Sequence, residues 1–189
     1  MHQGIGKGRN ERSGTLRLMA WTAAAGLMLL IIAVRLAGGL GGWSTGDVVL
    51  VAAILLAACL VFDLATRLAP NASYLAGTAV ALLAGAGLVV VNGAVGLVGA
   101  EDEPHNRLFV AVILVALTTA ALTRGRPEGM ARAMIAAAVV HVALSAALLG
   151  AVGVGPAGHM GIEAVGLSGF AALWLAAAWL YRRSAITAD

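Results

Sequence analysis

The chain has 189 residues, of which 61% are apolar and only 11% charged, and its mean hydropathy is +0.95. A soluble domain keeps its surface wet with about 25% charged residues, and a fold of this length could not hide so much apolar surface from water. A water-soluble globule is therefore excluded and a membrane protein expected, and the net charge of +3 does not point to nucleic acid, because the basic residues sit between apolar runs rather than on one face.

Residues 1–15 are polar, glycine-rich and basic, which predicts a disordered cytoplasmic tail. The first apolar run covers about 17–37. A secretory signal peptide competes for it, given the basic start, but the run is longer than a usual signal core and five more follow. An uncleaved first helix is the better reading. The predicted spans are 17–37, 47–67, 74–98, 106–124, 131–152 and 163–182, each near the roughly 20 apolar residues that a crossing needs. They must be helices, since lipid offers no water to unpaired backbone groups and the runs lack the short alternation of a β-barrel. The expected fold is all-α: a polytopic bundle of about six transmembrane helices in one domain, residues 16–185, followed by a short cytoplasmic tail at 186–189.

Orientation follows from the bases. Lys7, Arg9, Arg12, Arg17, Arg67, Arg124, Arg126, Arg132, Arg182 and Arg183 fall on one side, and only Arg35 and Arg107 on the other. That asymmetry predicts both termini in the cytoplasm, with Asp47, Glu101, Asp102, Glu103 and Glu163 outside. The eleven arginines to one lysine, in an alanine- and glycine-rich chain, suggest a GC-rich bacterial genome. The expected location is the bacterial inner membrane.

Within the spans, Cys59 reads as a small packing residue, and as the lone cysteine it excludes an intrachain disulfide. Asp63 is a functional candidate, because an ionisable group inside a span is costly. Its spacing of four from Arg67 also suits a structural ion pair. Gly77, Ala81 and Gly85, four apart, would permit close helix contact. Asn71-Ala72-Ser73 resembles a glycosylation sequon but falls on the cytoplasmic side. The most distinctive stretch is 92–107, NGAVGLVGAEDEPHNR, which contains Asn92, Glu101, Asp102, His105 and Asn106. It reads either as an outward-facing acidic cation site or as a helix start, with Asp102 as cap and Pro104 in the first turn. His141, near the middle of the fifth span, could relay a proton, ligate haem or contact a quinone; otherwise it bonds a backbone carbonyl or Ser145 and joins helices. No second histidine lies at its depth, so haem would require a homodimer. Trp43, Trp179 and Tyr181 read as interfacial anchors. No phosphate loop, zinc spacing or catalytic triad is found, and no metal or cofactor is expected.

Three segments, NGAVGLVGAEDEPHNRLF (92–109), GRPEGMARAM (125–134) and SGFAALWLAAAWLYRRSA (168–185), carry a resemblance. Together they look like a family of small, functionally uncharacterised bacterial inner-membrane proteins with a Glu-Asp-x-Pro-x-Asn loop. The resemblance covers roughly the last half of the chain and implies a topology without an activity. In that pattern the position of His105 is usually small, which implies that Glu101, Asp102 and Asn106 are the better shared candidates.

The leading functional expectation is a non-enzymatic structural or accessory membrane component, whose partners are the bilayer and either a second copy or another membrane protein. One alternative is a small permease or ion-conducting protein with Glu101 and Asp102 at its outer mouth and Asp63 or His141 further along. The other is a haem- or quinone-associated redox subunit using His141.

Overall fold

The computed structural model describes residues 3–39, 43–94, 96–98, 104–151 and 160–187, with side chains described for 14–39, 43–94, 96–98, 104–150 and 163–187. These residues form six α-helices: α1 (Gln3–Leu36), α2 (Thr45–Leu68), α3 (Ala72–Ala94), α4 (Val110–Leu122), α5 (Pro127–Ala151) and α6 (Met160–Ile186). Pro104–Phe109 forms a 3₁₀ segment ahead of α4. Among the described residues, six helical stretches are long and apolar enough to cross a membrane. The chain is thus an all-helical, multi-pass membrane protein in architecture.

The fourth span shows how a short helix reaches across. At 1.5 Å per residue, the 13 residues of α4 rise only about 20 Å. The six 3₁₀ residues before them, at about 2 Å each, add about 12 Å, and the sum matches a hydrocarbon core of about 30 Å.

The chain divides into two compact units, residues 1–68 and 69–189. The first is an antiparallel hairpin of α1 and α2. Ser44 and Asp47 start α2 by bonding reciprocally: the Ser44 amide donates to Asp47 Oδ2 at 2.6 Å, and the Asp47 amide to Ser44 Oγ at 3.2 Å. This is a capping box with aspartate in the third helical position. Along α1 the described half-buried residues follow one stripe, Arg17, Ala20, Ala24, Met28, Ile31, Val34 and Arg35. The described contacts to α2 lie on it: Arg17 meets Asp63, and Cys59 Sγ donates weakly to the Ala20 carbonyl at 3.8 Å. The other side chains described on α1 are exposed, and α2 buries only Cys59 and Ala65 among its residues.

Residues 69–189 pack differently. α3 lies against α6, α6 against α5, and α5 against α4. Lipid tails are as apolar as leucine, so these helices are held by close packing and hydrogen bonds rather than by exclusion of water. Small residues make that approach possible. Ala137 and Ala138 on α5 and Ala177 and Ala178 on α6 are all buried. A Cβ on Gly77 would stand 3.3 Å from both Leu180 Cβ and Tyr181 Cγ, so α3 and α6 touch nearly backbone to side chain there. Trp174, Tyr74, Tyr181, Phe109, Leu88 and His141 fill the interior with almost no exposure.

α3 ends at Ala94 rather than at residue 98, and α5 begins at Pro127 rather than 131. The first difference has a local cause, since the Leu97 and Val98 amides bond to a side chain and not to a helix carbonyl. The second reflects proline's suitability for the first helical position, where its missing N–H is no loss. Tyr181, expected at the lipid interface, is instead wholly buried in the bundle, while Trp179 is exposed.

Candidate functional site

Among the polar side chains described in residues 69–189, three sets tie different elements together. The first lies at the end carrying the α4–α5 turn. Asn71 Oδ1 accepts from the Tyr74 amide at 3.2 Å and so caps α3. The same side chain's Nδ2 donates to the Ser184 carbonyl at 3.0 Å and to Thr187 Oγ1 at 2.9 Å, binding the end of α6. Tyr74 Oη donates to the Gly125 carbonyl at 2.8 Å, which fixes the turn. Thr78 Oγ1 is 3.1 Å from the Tyr74 carbonyl and 2.9 Å from Tyr181 Oη. The carbonyl can only accept, so the single threonine proton goes there and the Tyr181 hydroxyl is the donor to Thr78. The two tyrosine rings meet edge to face, with centroids 5.0 Å apart, a favoured aromatic geometry.

The second set is built on Asn106, which is 3% exposed. Its Oδ1 accepts from the amides of Leu97 at 3.2 Å and Val98 at 3.1 Å, and its Nδ2 donates to the Val98 carbonyl at 3.2 Å. Asn92 Nδ2 in turn donates to the Asn106 carbonyl at 3.1 Å. Two of the candidate residues, Asn92 and Asn106, are therefore brought together. The amide of Asn106 does for residues 97–98 what a helix ladder would otherwise do, because buried backbone groups must find partners. Glu101 and Asp102 lie outside the described residues.

The third set surrounds His141, which has no exposure. Its Nε2 lies 3.0 Å from the Leu167 carbonyl of α6. A carbonyl accepts, so Nε2 carries the proton and Nδ1 holds a lone pair. That Nδ1 has no hydrogen-bond partner among the described residues. The rings of Phe109 and Phe170 flank the imidazole at centroid distances of 5.5 and 6.2 Å. Ser145 donates to the backbone carbonyl of His141 at 2.7 Å rather than to its ring. Phe109 and Asn106 share one 3₁₀ segment, so the second and third sets are positioned by the same element.

In residues 1–68, Asp63 binds two arginines. Arg67, four residues on, donates Nη2 to Asp63 Oδ2 at 2.9 Å, as the spacing predicts. Arg17 of α1 pairs with the other carboxylate oxygen. At the opposite end of this hairpin, Arg35 donates to the Trp43 carbonyl and, at 3.4 Å, to Thr45 Oγ1.

Sequence reasoning missed Asn71 as a tie between helices. Its signal was present, an asparagine directly before a helix start. The Arg17 partner of Asp63 and the Thr78–Tyr181 pair have no such signal, being joined only by helix packing. Among the described residues, no three His, Cys, Asp or Glu side chains form a group able to hold a metal ion. Comparison with known proteins finds no family model, no curated protein and no solved structure that matches this chain.

Proposed function

We propose that the protein is a non-enzymatic, multi-pass component of a bacterial inner membrane, with both termini in the cytoplasm, that works by assembling with a second copy or with another membrane protein. The observation that carries this reading is how the interior polar groups of residues 69–189 are used. Asn71, Thr78, Asn106 and His141 each bond to backbone or to a side chain of another element. Such groups tie helices together, whereas a substrate path needs polar side chains left open to water. Residues 1–68 supply the complementary feature. One stripe of α1 is half-buried and the rest of its described surface is open, including Leu18, Leu29 and Leu30 at 59% exposure or more. An open hairpin gives a partner helix room to pack.

Orientation rests on the ten-to-two division of Lys and Arg, and the resemblance to small inner-membrane proteins agrees with it. Purification of the full chain in mild detergent, followed by native mass spectrometry, tests the assembly. A dimer or a defined heteromeric complex is the expected result. A bare monomer that brings nothing with it overturns the proposal. Reporter fusions at each end test the topology separately: both must report cytoplasm.

A further inference from the structure

At one end of residues 69–189, where α4 gives way to α5, the surface opens into a cleft of about 400 Å³ lined by Leu122, Thr123, Arg124, Arg126, Glu128, Gly129 and Arg132. The lining thus carries three arginines and one glutamate. Glu128 is already engaged, accepting from Arg132 at 3.3 Å. Arg124 and Arg126 have no ion-pair partner among the described residues. Two exposed arginines on the lining of one concavity favour an anion that can take several N–H donors at once, and a phosphate group matches arginine's planar fork.

The floor of the cleft is rigid. Tyr74, 2% exposed, holds the Gly125 carbonyl from inside the bundle at 2.8 Å. The Arg124 amide donates to the Ala121 carbonyl at 3.0 Å, and the Arg126 amide to the Thr123 carbonyl at 3.1 Å. Gly129 sits so tightly under Thr123 that a Cβ there would come within 2.3 Å of Thr123 Cβ. The backbone that carries the arginines is therefore held before an anion arrives, and only their side chains have to be ordered on binding.

We propose that this cleft binds a phosphate-bearing anion, with the headgroup of an acidic phospholipid as its occupant. The cleft occupies the four-residue turn between the spans Pro104–Leu122 and Pro127–Gly150, the depth at which headgroups lie. Leu122, on the rim, is 77% exposed and offers apolar surface to an acyl chain, which a free phosphate would not use. Basic pockets between helices at a membrane surface recognise anionic headgroups in this way.

The experiment uses the full chain in mild detergent, titrated with phosphatidylglycerol, with phosphatidylcholine and with inorganic phosphate. Bound lipid is counted by native mass spectrometry, and the thermal midpoint is followed in parallel. Phosphatidylglycerol should bind more tightly than phosphatidylcholine, and each arginine removed from the cleft should cost about fivefold in affinity. Arg124→Gln with Arg126→Gln should therefore weaken phosphatidylglycerol by about 25-fold. Arg182→Gln with Arg183→Gln, which alters charge on α6 outside the cleft, should leave it nearly unchanged. If only inorganic phosphate binds, and the cleft variant alone abolishes its effect on the midpoint, the anion site stands with a soluble ligand and the lipid assignment falls. Equal losses in the two variants, or no preference for either anion over phosphatidylcholine, overturn the site. Should the double variant unfold, Arg126→Gln alone, at a position without positive φ, gives the same reading.

Discussion

Residues 1–68 and 69–189 draw on the same few residue types and solve the problem of living in lipid in different ways. In the hairpin, contact runs along one stripe of α1, and the charged tie between its helices joins Arg17, Asp63 and Arg67 near the ends of two spans. In residues 69–189 the interior closes over Trp174, Tyr74, Tyr181 and His141. The difference shows what an interior permits. A buried hydroxyl, amide or imidazole is costly in an apolar setting unless it is bonded. Several helices together can surround such groups and supply most of their partners, although Ser184 Oγ, Trp174 Nε1 and His141 Nδ1 have none among the described residues. A two-helix unit has no such enclosure, so its charged groups stay at span ends, within reach of water.

The sharpest way to break the comparison is to remove the same side chain from each unit. Trp174 is 2% exposed and Trp21 is 39% exposed. Trp174→Ala leaves a void between α6 and α3, where the ring lies beside Gly85, and should cost on the order of 3 kcal/mol. Trp21→Ala exchanges ring–lipid contact for more lipid and should cost below about 0.5 kcal/mol. Unfolding by SDS titration in maltoside micelles, followed by circular dichroism, measures both. Equal costs would mean that the hairpin has a core of its own.

Asn106 comes next. Asn106→Ala strands the amides of Leu97 and Val98, both residues being buried, and should destabilise by about 2 kcal/mol. Hydrogen exchange offers a local readout, with protection lost first at residues 97 and 98. A smaller loss, about 1 kcal/mol, is expected for Tyr181→Phe, which removes the donor to Thr78 and keeps the edge-to-face contact with Tyr74. An effect of Tyr181→Phe larger than that of Asn106→Ala would reverse the ranking of the two polar sets.

The spans were legible in the sequence because each is a continuous apolar run, and the Asp63–Arg67 pair because both residues lie on one helix. What the sequence left open has a common cause. These helices are apolar nearly all round, so periodicity cannot say which side of a span faces lipid. Tyr181 near a span end reads as an interfacial anchor whichever way it points, and only the packing of α6 on α3 turns it inward toward Thr78. Asn106 was legible as a candidate but not as a clamp, since its partners are backbone amides in a stretch that reads as helix. His141 was weighed as a tie between helices, and its bond to Leu167 has that form. That the partner is a carbonyl on α6 could not be known before the helices were placed.

Only a small effect is expected where a reader of the sequence alone would look for the largest, at the acid in the second span. Asp63, its own side chain 16% exposed, pairs with two arginines whose side chains are 41% and 65% exposed, and ion pairs whose cations reach water contribute about 0–1 kcal/mol. The position of the arginines decides whether that figure survives in a bilayer. Arg17 is near the start of the span Gly14–Leu36, and Arg67 near the end of Thr45–Leu68, so in an antiparallel hairpin both can extend toward the same aqueous surface. Asp63→Asn should then cost less than about 1 kcal/mol. The cost should shrink further as salt screens whatever attraction reaches water. Were the carboxylate instead holding two cations inside hydrocarbon, its loss would leave both uncompensated, with a cost of several kcal/mol that salt does not touch. Unfolding of Asp63→Asn and of the unsubstituted chain at low and high ionic strength separates these outcomes. A large, salt-independent loss would make Asp63 a buried charge centre and would give the hairpin the enclosed polar site that only the larger unit otherwise has.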